Sequence, residues 1–254
     1  SSRRQRQMCI RDRTKAAIMQ PTYLPWCGYF GLIDIVDIFV IYDDVQFEKR
    51  SWQQRNKIKT TSGSQWLTVP VDSKGKRFQK INEVCISEQS NFSKDHIRAI
   101  EVNYSKTKYF KEYKNAIFDC ISNNQKYLLD LNQSIIFELS KILELQTDFI
   151  NSSKLKVSGK KEERLVNICK HLSAVHYIAT PGAKIYLDGT DAFEKNEIKL
   201  SYQSFTHPIY PQINGNFLSH MGIIDILFNC GPRKTLELIR AVSYTHLRAH
   251  ETSI

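Results

Sequence analysis

Residues 15–59 read KAAIMQPTYLPWCGYFGLIDIVDIFVIYDDVQFEKRSWQQRNKIK and decide the fold. A short apolar run, Ala16 to Met19, breaks into the Pro-rich turn Gln20-Pro21-Thr22-Tyr23-Leu24-Pro25. A helix-length segment follows, then a second apolar run, Ile38 to Tyr42, that ends in Asp43-Asp44. Strand, rigid turn, helix, strand and a pair of acids make half of a parallel α/β sheet, and such sheets bind ligands at the carboxyl ends of their strands. The bend from Gln20 to Tyr29 and the twin acids both belong at that edge, which is where the active site is expected.

Working outward, the pattern turns to alternation. Gln46 to Trp52, Arg55 to Lys59 and Gln65 to Val71 read as short strands around a Thr61-Ser62-Gly63-Ser64 turn, a small antiparallel excursion, with one more strand over Ile81 to Ile86. Residues 91–145 carry three apolar stripes at helical spacing and little Gly or Pro, so a helical insertion is expected. The α/β rhythm returns with strands at 148–150, 175–179 and 198–202, a helix over 161–172 and closing helices around the Gly231-Pro232 break. The fold class is α/β, with a parallel Rossmann-like sheet.

The two ends fit none of this. Residues 1–13 and 242–254 lack period, caps and turns, and both resemble translated sequencing-adaptor sequence. The expected organisation is a foreign leader (1–13), one α/β domain (14–241) and a foreign tail (242–254), with the natural start near Lys15 and the natural end beyond Arg240 missing. The whole chain carries 36 basic and 26 acidic residues, a net charge of +10. The leader contributes five Arg and one Asp, and the tail one Arg and one Glu, so 30 basic and 24 acidic residues remain, or +6. That charge suits an anionic small ligand better than nucleic acid. The five remaining cysteines form no CxxC and sit in apolar contexts, as expected of reduced thiols in a cytoplasmic protein. The apolar run 31–42 contains Asp34 and Asp37 and is too short to span a bilayer.

Four segments carry the candidate chemistry. Gln20, Tyr23, Trp26, Gly28 and Tyr29 form a bend whose backbone amides would face an anion at a helix N-terminus; the plain alternative is a packed aromatic turn. Asp43, Asp44 and Gln46 follow a strand, where an acid holds a metal, a ribose hydroxyl or a proton, or merely caps a turn; in an extended chain the two acids point to opposite sides. Lys49, Arg50, Trp52, Arg55 and Lys59 set cations around an indole, for phosphate pairing and ring stacking, or form a solvated basic hairpin. Alternation there would put Arg55, Lys57 and Lys59 on one face. His207, in the rigid loop 206–212, is the candidate general base beside Asp43 and Asp44. Thr180 to Lys184 is a further strand-to-helix turn with phosphate-binding character. The remaining histidines show no metal spacing, so no metal site is expected, and no cofactor is indicated.

Together, Gln20-Pro21-x-Tyr23-Leu24-Pro25-Trp26-x-Gly28-Tyr29-Phe30, Asp43-Asp44-Val45-Gln46-Phe47, Ser51-Trp52-x-x-Arg55-Asn56-x-Ile58-Lys59 and Trp66 to Val71 resemble the WbqC-like protein family. The likeness continues through Glu163-Arg164-Leu165, Tyr210-Pro211-Gln212 and Ile224 to Asn229, and it adds Asn56, Tyr210 and Gln212 to the candidate ligand-binding residues. Many members carry His where this chain has Met19, so no catalytic side chain carries over to that position. The resemblance implies a bacterial transferase that attaches an acyl or aminoacyl group to a nucleotide-linked amino sugar in O-antigen or surface-polysaccharide synthesis. Thr22 to Tyr29 also resembles the nucleotidylyltransferase turn, with Trp26 and Tyr29 in place of its two histidines. Nucleotide binding is compatible with that likeness, while its histidine mechanism is not. Nucleotidyl transfer on a sugar phosphate and non-catalytic binding of a sugar nucleotide are the alternative functions.

Overall fold

In the computed structural model, residues 14–251 are described, with side chains through residue 243. Five parallel strands form the sheet: β1 (Lys15–Met19), β2 (Ile38–Ile41), β5 (Asp148–Asn151), β6 (His176–Ala179) and β7 (Lys199–Tyr202), in the order β5-β2-β1-β6-β7. β3 (Arg55–Thr60) and β4 (Gly63–Thr68) pair as a separate antiparallel hairpin. The expected α/β class with its antiparallel excursion is therefore present.

Alternation along the strands divides the core. Ala17, Phe39 and Ile41 face helix α1 (Cys27–Asp34) and the helical layer, whereas Ala16, Ile18 and Val40 face helix α6 (Lys161–His171). A sheet covered on both faces needs apolar residues at successive strand positions, which is why the two runs contain no polar alternation. The helical insertion comprises α2 (Phe92–Tyr104), α3 (Phe110–Ser122) and α4 (Leu128–Ile142). Two short helices, α5 (Ser152–Leu155) and α7 (Lys184–Leu187), follow β5 and β6.

Helix α8 (Ile223–Glu251) is two helices in series, broken at Gly231 (φ 77°) before Pro232. A side chain at Gly231 would lie 2.8 Å from the Tyr109 ring, so close packing as well as positive φ requires glycine there. The helical backbone continues through residues 242–251, across most of the expected foreign tail, and Ser243 is buried. The expected leader (1–13) and residues 252–254 lie outside the described residues.

Two expected strands are absent. Gln46 to Trp52 leaves a single bridge at Gln46–Lys80 and then turns back on itself, because its side chains bind its own backbone. Ile81–Glu83 is one turn of 3₁₀ helix, with isolated bridges at Cys85 and Ile86 in place of a ladder. Among the described residues no helix is long and apolar enough to cross a membrane.

Candidate functional site

β1 continues to β2 on one side of the sheet, while β6 continues to β7 on the other, so the winding reverses between β1 and β6. Carboxyl ends at such a reversal leave a crevice that no crossover covers. A cavity of about 340 Å³ lies there, walled by Met19 at the end of β1, Gln20 and Thr22 after it, Tyr42 after β2, Tyr177 within β6 and Thr180 after it. Leu165 of α6 and Tyr186 of α7 close one side, and Glu48, Ser51, Trp52 and Gln53 the other. Larger hollows near Phe137 and near Cys85 lie away from these strand ends. The smaller cavity is the candidate because polar groups from four chain segments meet in it.

The 48–54 loop forms its mouth and is held by its own amides. Gln53 Oε1 accepts from the Glu48 amide (3.1 Å), and Gln53 Nε2 donates to Gln20 Oε1 (2.8 Å). Gln54 Oε1 accepts from the Arg50 amide at 3.0 Å, and the Ser51 hydroxyl donates to Glu48 O at 2.7 Å. From beneath, buried Asn132 of α4 donates to Gln53 O at 2.8 Å. These bonds fix the loop before any ligand arrives, leaving Glu48, Lys49 and Arg50 exposed and Trp52 49% exposed. Thr22 Oγ1, in the cavity wall, is buried and without a hydrogen-bond partner. Such an orphan is uncommon in native structures, and this one belongs to the cavity's lining.

The acids after β2 sit beside this cavity but do not line it. Asp43 Oδ1 accepts from the Ser152 hydroxyl (3.0 Å) and the Ser153 amide (2.9 Å), and Oδ2 from the Ser153 hydroxyl (2.7 Å) and Asn151 Nδ2 (3.0 Å). Burial tends to raise its pKa, yet these donors outweigh burial and hold the carboxyl below the usual carboxylate range. Asp44 pairs with Arg164 of α6, whose guanidinium lies 5.2 Å from the centroid of the Tyr42 ring. Both acids also reach the same Ser152 hydroxyl, because the chain bends after Asp43 and is no longer extended. Gln46 binds Arg77 O and anchors the 72–80 loop.

The bend's remaining residues turn to the other side. Tyr23 is fully buried and bonds His96 Nδ1 at 2.8 Å; burial lowers the His96 pKa to about 4, so this imidazole is neutral. Tyr29 lies in the core with its hydroxyl on Gln20 O. Trp26 folds back over Gly28, where an added Cβ would fall 2.3 Å from the indole, and packs against Phe205, His207 and His220. Thus Gly28 makes room for a side chain of its own bend. Leu24 adopts φ 43°, a strained value for leucine, and Asn56 Nδ2 binds its carbonyl at 2.6 Å.

Beyond Trp26 lies a second polar cluster. Cys27 Sγ is 3.5 Å from His207 Nε2; burial pushes the thiol up to about 12 and lowers the His207 pKa, so both are neutral at pH 7. Asp225, fully buried, accepts from Tyr104 (2.8 Å), Tyr210 (2.7 Å) and Gln212 (2.7 Å). Burial raises its pKa against those bonds. Lys59 is buried as well, its ammonium held by Asn216 O (2.6 Å) and Gln212 Oε1 (3.0 Å), whereas Arg55 and Lys57 are half-buried. Arg55 and Lys57 instead flank the Trp66 ring, at 4.3 and 4.8 Å from its centroid. Among the described residues no group of three or more His, Cys, Asp or Glu is placed to hold a metal ion.

The WbqC-like protein family matches residues 20–237, most of the chain. The chain belongs to the WbqC-like family. It is 38% identical over 219 residues to the uncharacterized protein Rv1507c of Mycobacterium tuberculosis, covering 85% of this chain and 94% of that relative. No solved structure matches it. Met19 lines the cavity. Of the candidate residues, Gln20 and Trp52 also line it, Lys49 and Arg50 stand on its loop, and Asp43 and Asp44 are not in its lining. His207, Tyr210, Gln212 and Lys59 belong to the second cluster. Sequence reading did not single out Glu48, Gln53 and Tyr186 of this lining, which carry no motif, and Thr22 entered only through the nucleotidylyltransferase-like turn; the Gln53-Gln54 pair beside a Trp was the available signal.

Proposed function

We propose that this protein transfers an acyl or aminoacyl group to the amine of a nucleotide-linked sugar held in the cavity between β1 and β6. The carrying observation is that cavity's position at the reversal of the parallel sheet, with a polar wall and an aromatic mouth. Family membership supports the choice of sugar chemistry, through the expectation attached to the motifs above.

Gln20, Thr22, Ser51 and Thr180 supply neutral hydrogen-bonding groups suited to sugar hydroxyls, and Tyr42 and Tyr186 supply ring faces. Lys49 and Arg50, free of ion pairs among the described residues, stand where a diphosphate leaving the cavity would meet them. Glu48 is the one carboxylate in the cavity wall. As the sugar amine attacks the acyl carbon, a C–N bond forms, Glu48 takes the amine proton, and the donor's leaving group departs with its bonding pair. Asp43 has a different role here: its four bonds hold α5 against β2 and leave it no free lone pair for substrate.

The test combines binding and turnover. Nucleoside diphosphate amino sugars are screened by thermal shift, and acyl transfer from aminoacyl donors is followed by mass spectrometry. Glu48→Gln should retain binding while lowering transfer by about 10²–10⁴-fold, the range for a general base. Transfer at the wild-type rate by Glu48→Gln, or no stabilisation by any sugar nucleotide, would overturn the proposal.

A further inference from the structure

The cavity of about 340 Å³ is near the lower limit, roughly 300 Å³, for pockets that bury a whole ligand. A sugar nucleotide is larger than such a space, so part of it must lie outside. What lies outside is specific. Trp52, which lines the cavity, touches Trp66 on the β3–β4 hairpin, with ring centroids 5.3 Å apart. Trp66 is 40% exposed, and Arg55 and Lys57 approach the same ring. Neither cation has a carboxylate partner among the described residues, and Arg55 Nε is buried without a hydrogen bond.

We infer that Trp66, with Trp52, Arg55 and Lys57, forms a stacking subsite for the base of a nucleoside diphosphate whose sugar enters the cavity past Trp52. The inference rests on the sugar-nucleotide reading above and adds to it where the base sits. Two exposed indoles side by side on a soluble surface leave apolar area in water, and a planar heterocycle covers it at little entropic cost. The two cations make the patch complementary to the phosphates that accompany the base. Register fixes the arrangement: Lys57 is paired with Trp66 and Arg55 with Thr68, so both cations rise on Trp66's side of the ribbon.

The experiment titrates the full chain with UDP, GDP, CDP and dTDP, and separately with an amino-sugar 1-phosphate that lacks a base. Tryptophan fluorescence and calorimetry are the readouts. At least one diphosphate should bind wild type and quench fluorescence. Trp66→Ala should weaken that diphosphate about tenfold or more, as loss of one base–aromatic stack does. Trp66→Phe should stay within about threefold, and the sugar 1-phosphate should bind wild type and Trp66→Ala equally. Unchanged diphosphate affinity in Trp66→Ala would overturn the subsite, and sugar 1-phosphate binding that is lost in Gln20→Ala would leave the cavity reading intact. Equal weakening of the sugar 1-phosphate by Trp66→Ala would also overturn it. Failure of every diphosphate to bind wild type would overturn the subsite, and failure of the sugar 1-phosphate as well would overturn the cavity reading. Single-stranded oligonucleotide binding through Trp66 tighter than mononucleotide would overturn the assignment to a small nucleotide.

Discussion

The two sides of the Pro-rich bend differ in what their polar groups do. On the Trp26 side, Cys27, His207, Tyr210, Gln212, Asp225 and Lys59 satisfy one another and are largely buried. On the Trp52 side, Gln20 and Gln53 lock the loop while Glu48, Thr22 and the loop cations keep bonding capacity to spare. The side richer in reactive residue types is thus the scaffold, and the plainer side is the open one. A side chain's chemical repertoire counts for little once its neighbours have used it.

Four experiments would break or sharpen that contrast. The largest effect is expected from Asp225→Ala, which strands Tyr104, Tyr210 and Gln212 in the interior. A loss of about 3–5 kcal/mol in urea unfolding is expected, since each buried unsatisfied donor costs about 1–3 kcal/mol; a change below 1 kcal/mol would place the cluster outside the scaffold. Acid comes next. His96 titrates near 4 when folded, against roughly 6.5 unfolded, so the unfolded chain binds its proton first. This contribution is complete above pH 6.5 and is lost as pH falls toward 4, amounting to about 3 kcal/mol. His96→Gln should flatten the stability–pH curve in that window, and a curve as steep as wild type would contradict a neutral buried imidazole.

On the open side, Trp52→Ala should leave stability within about 0.5 kcal/mol, as a surface change does, while weakening sugar-nucleotide binding about tenfold. Equal losses in both would make Trp52 part of the scaffold. The smallest effect is expected at His207: substitution by Gln should change transfer less than about threefold, because its ring faces Cys27 and Trp26, away from the cavity lining. A hundredfold loss would return the catalytic role to His207.

β1 and β2 were legible because they are buried on both faces and read as unbroken apolar runs bounded by Pro or acids. β5, β6 and β7 followed from the returning α/β rhythm, and the helical insertion from apolar stripes at helical spacing. The segment 46–52 was not, since alternation there arises from a loop whose Ser51, Gln53 and Gln54 bind backbone, and residue type alone does not distinguish that from a strand. The candidate site was legible only in outline. Gln20 stood out in a bend costly to build and Trp52 as an indole among cations, whereas Glu48 acquires its place only from what the fold sets across from it.

Gln53 receives or gives bonds to Gln20 at the sheet edge, to Glu48 within its loop and to Asn132 in the helical layer. Three parts of the molecule therefore share one fastening point. The helices added between β4 and β5 are not a detachable ornament: loosening α4 would slacken the cavity's rim, so amide exchange at Gln53 and in the turn of α4 around Asn132 should report a common opening event.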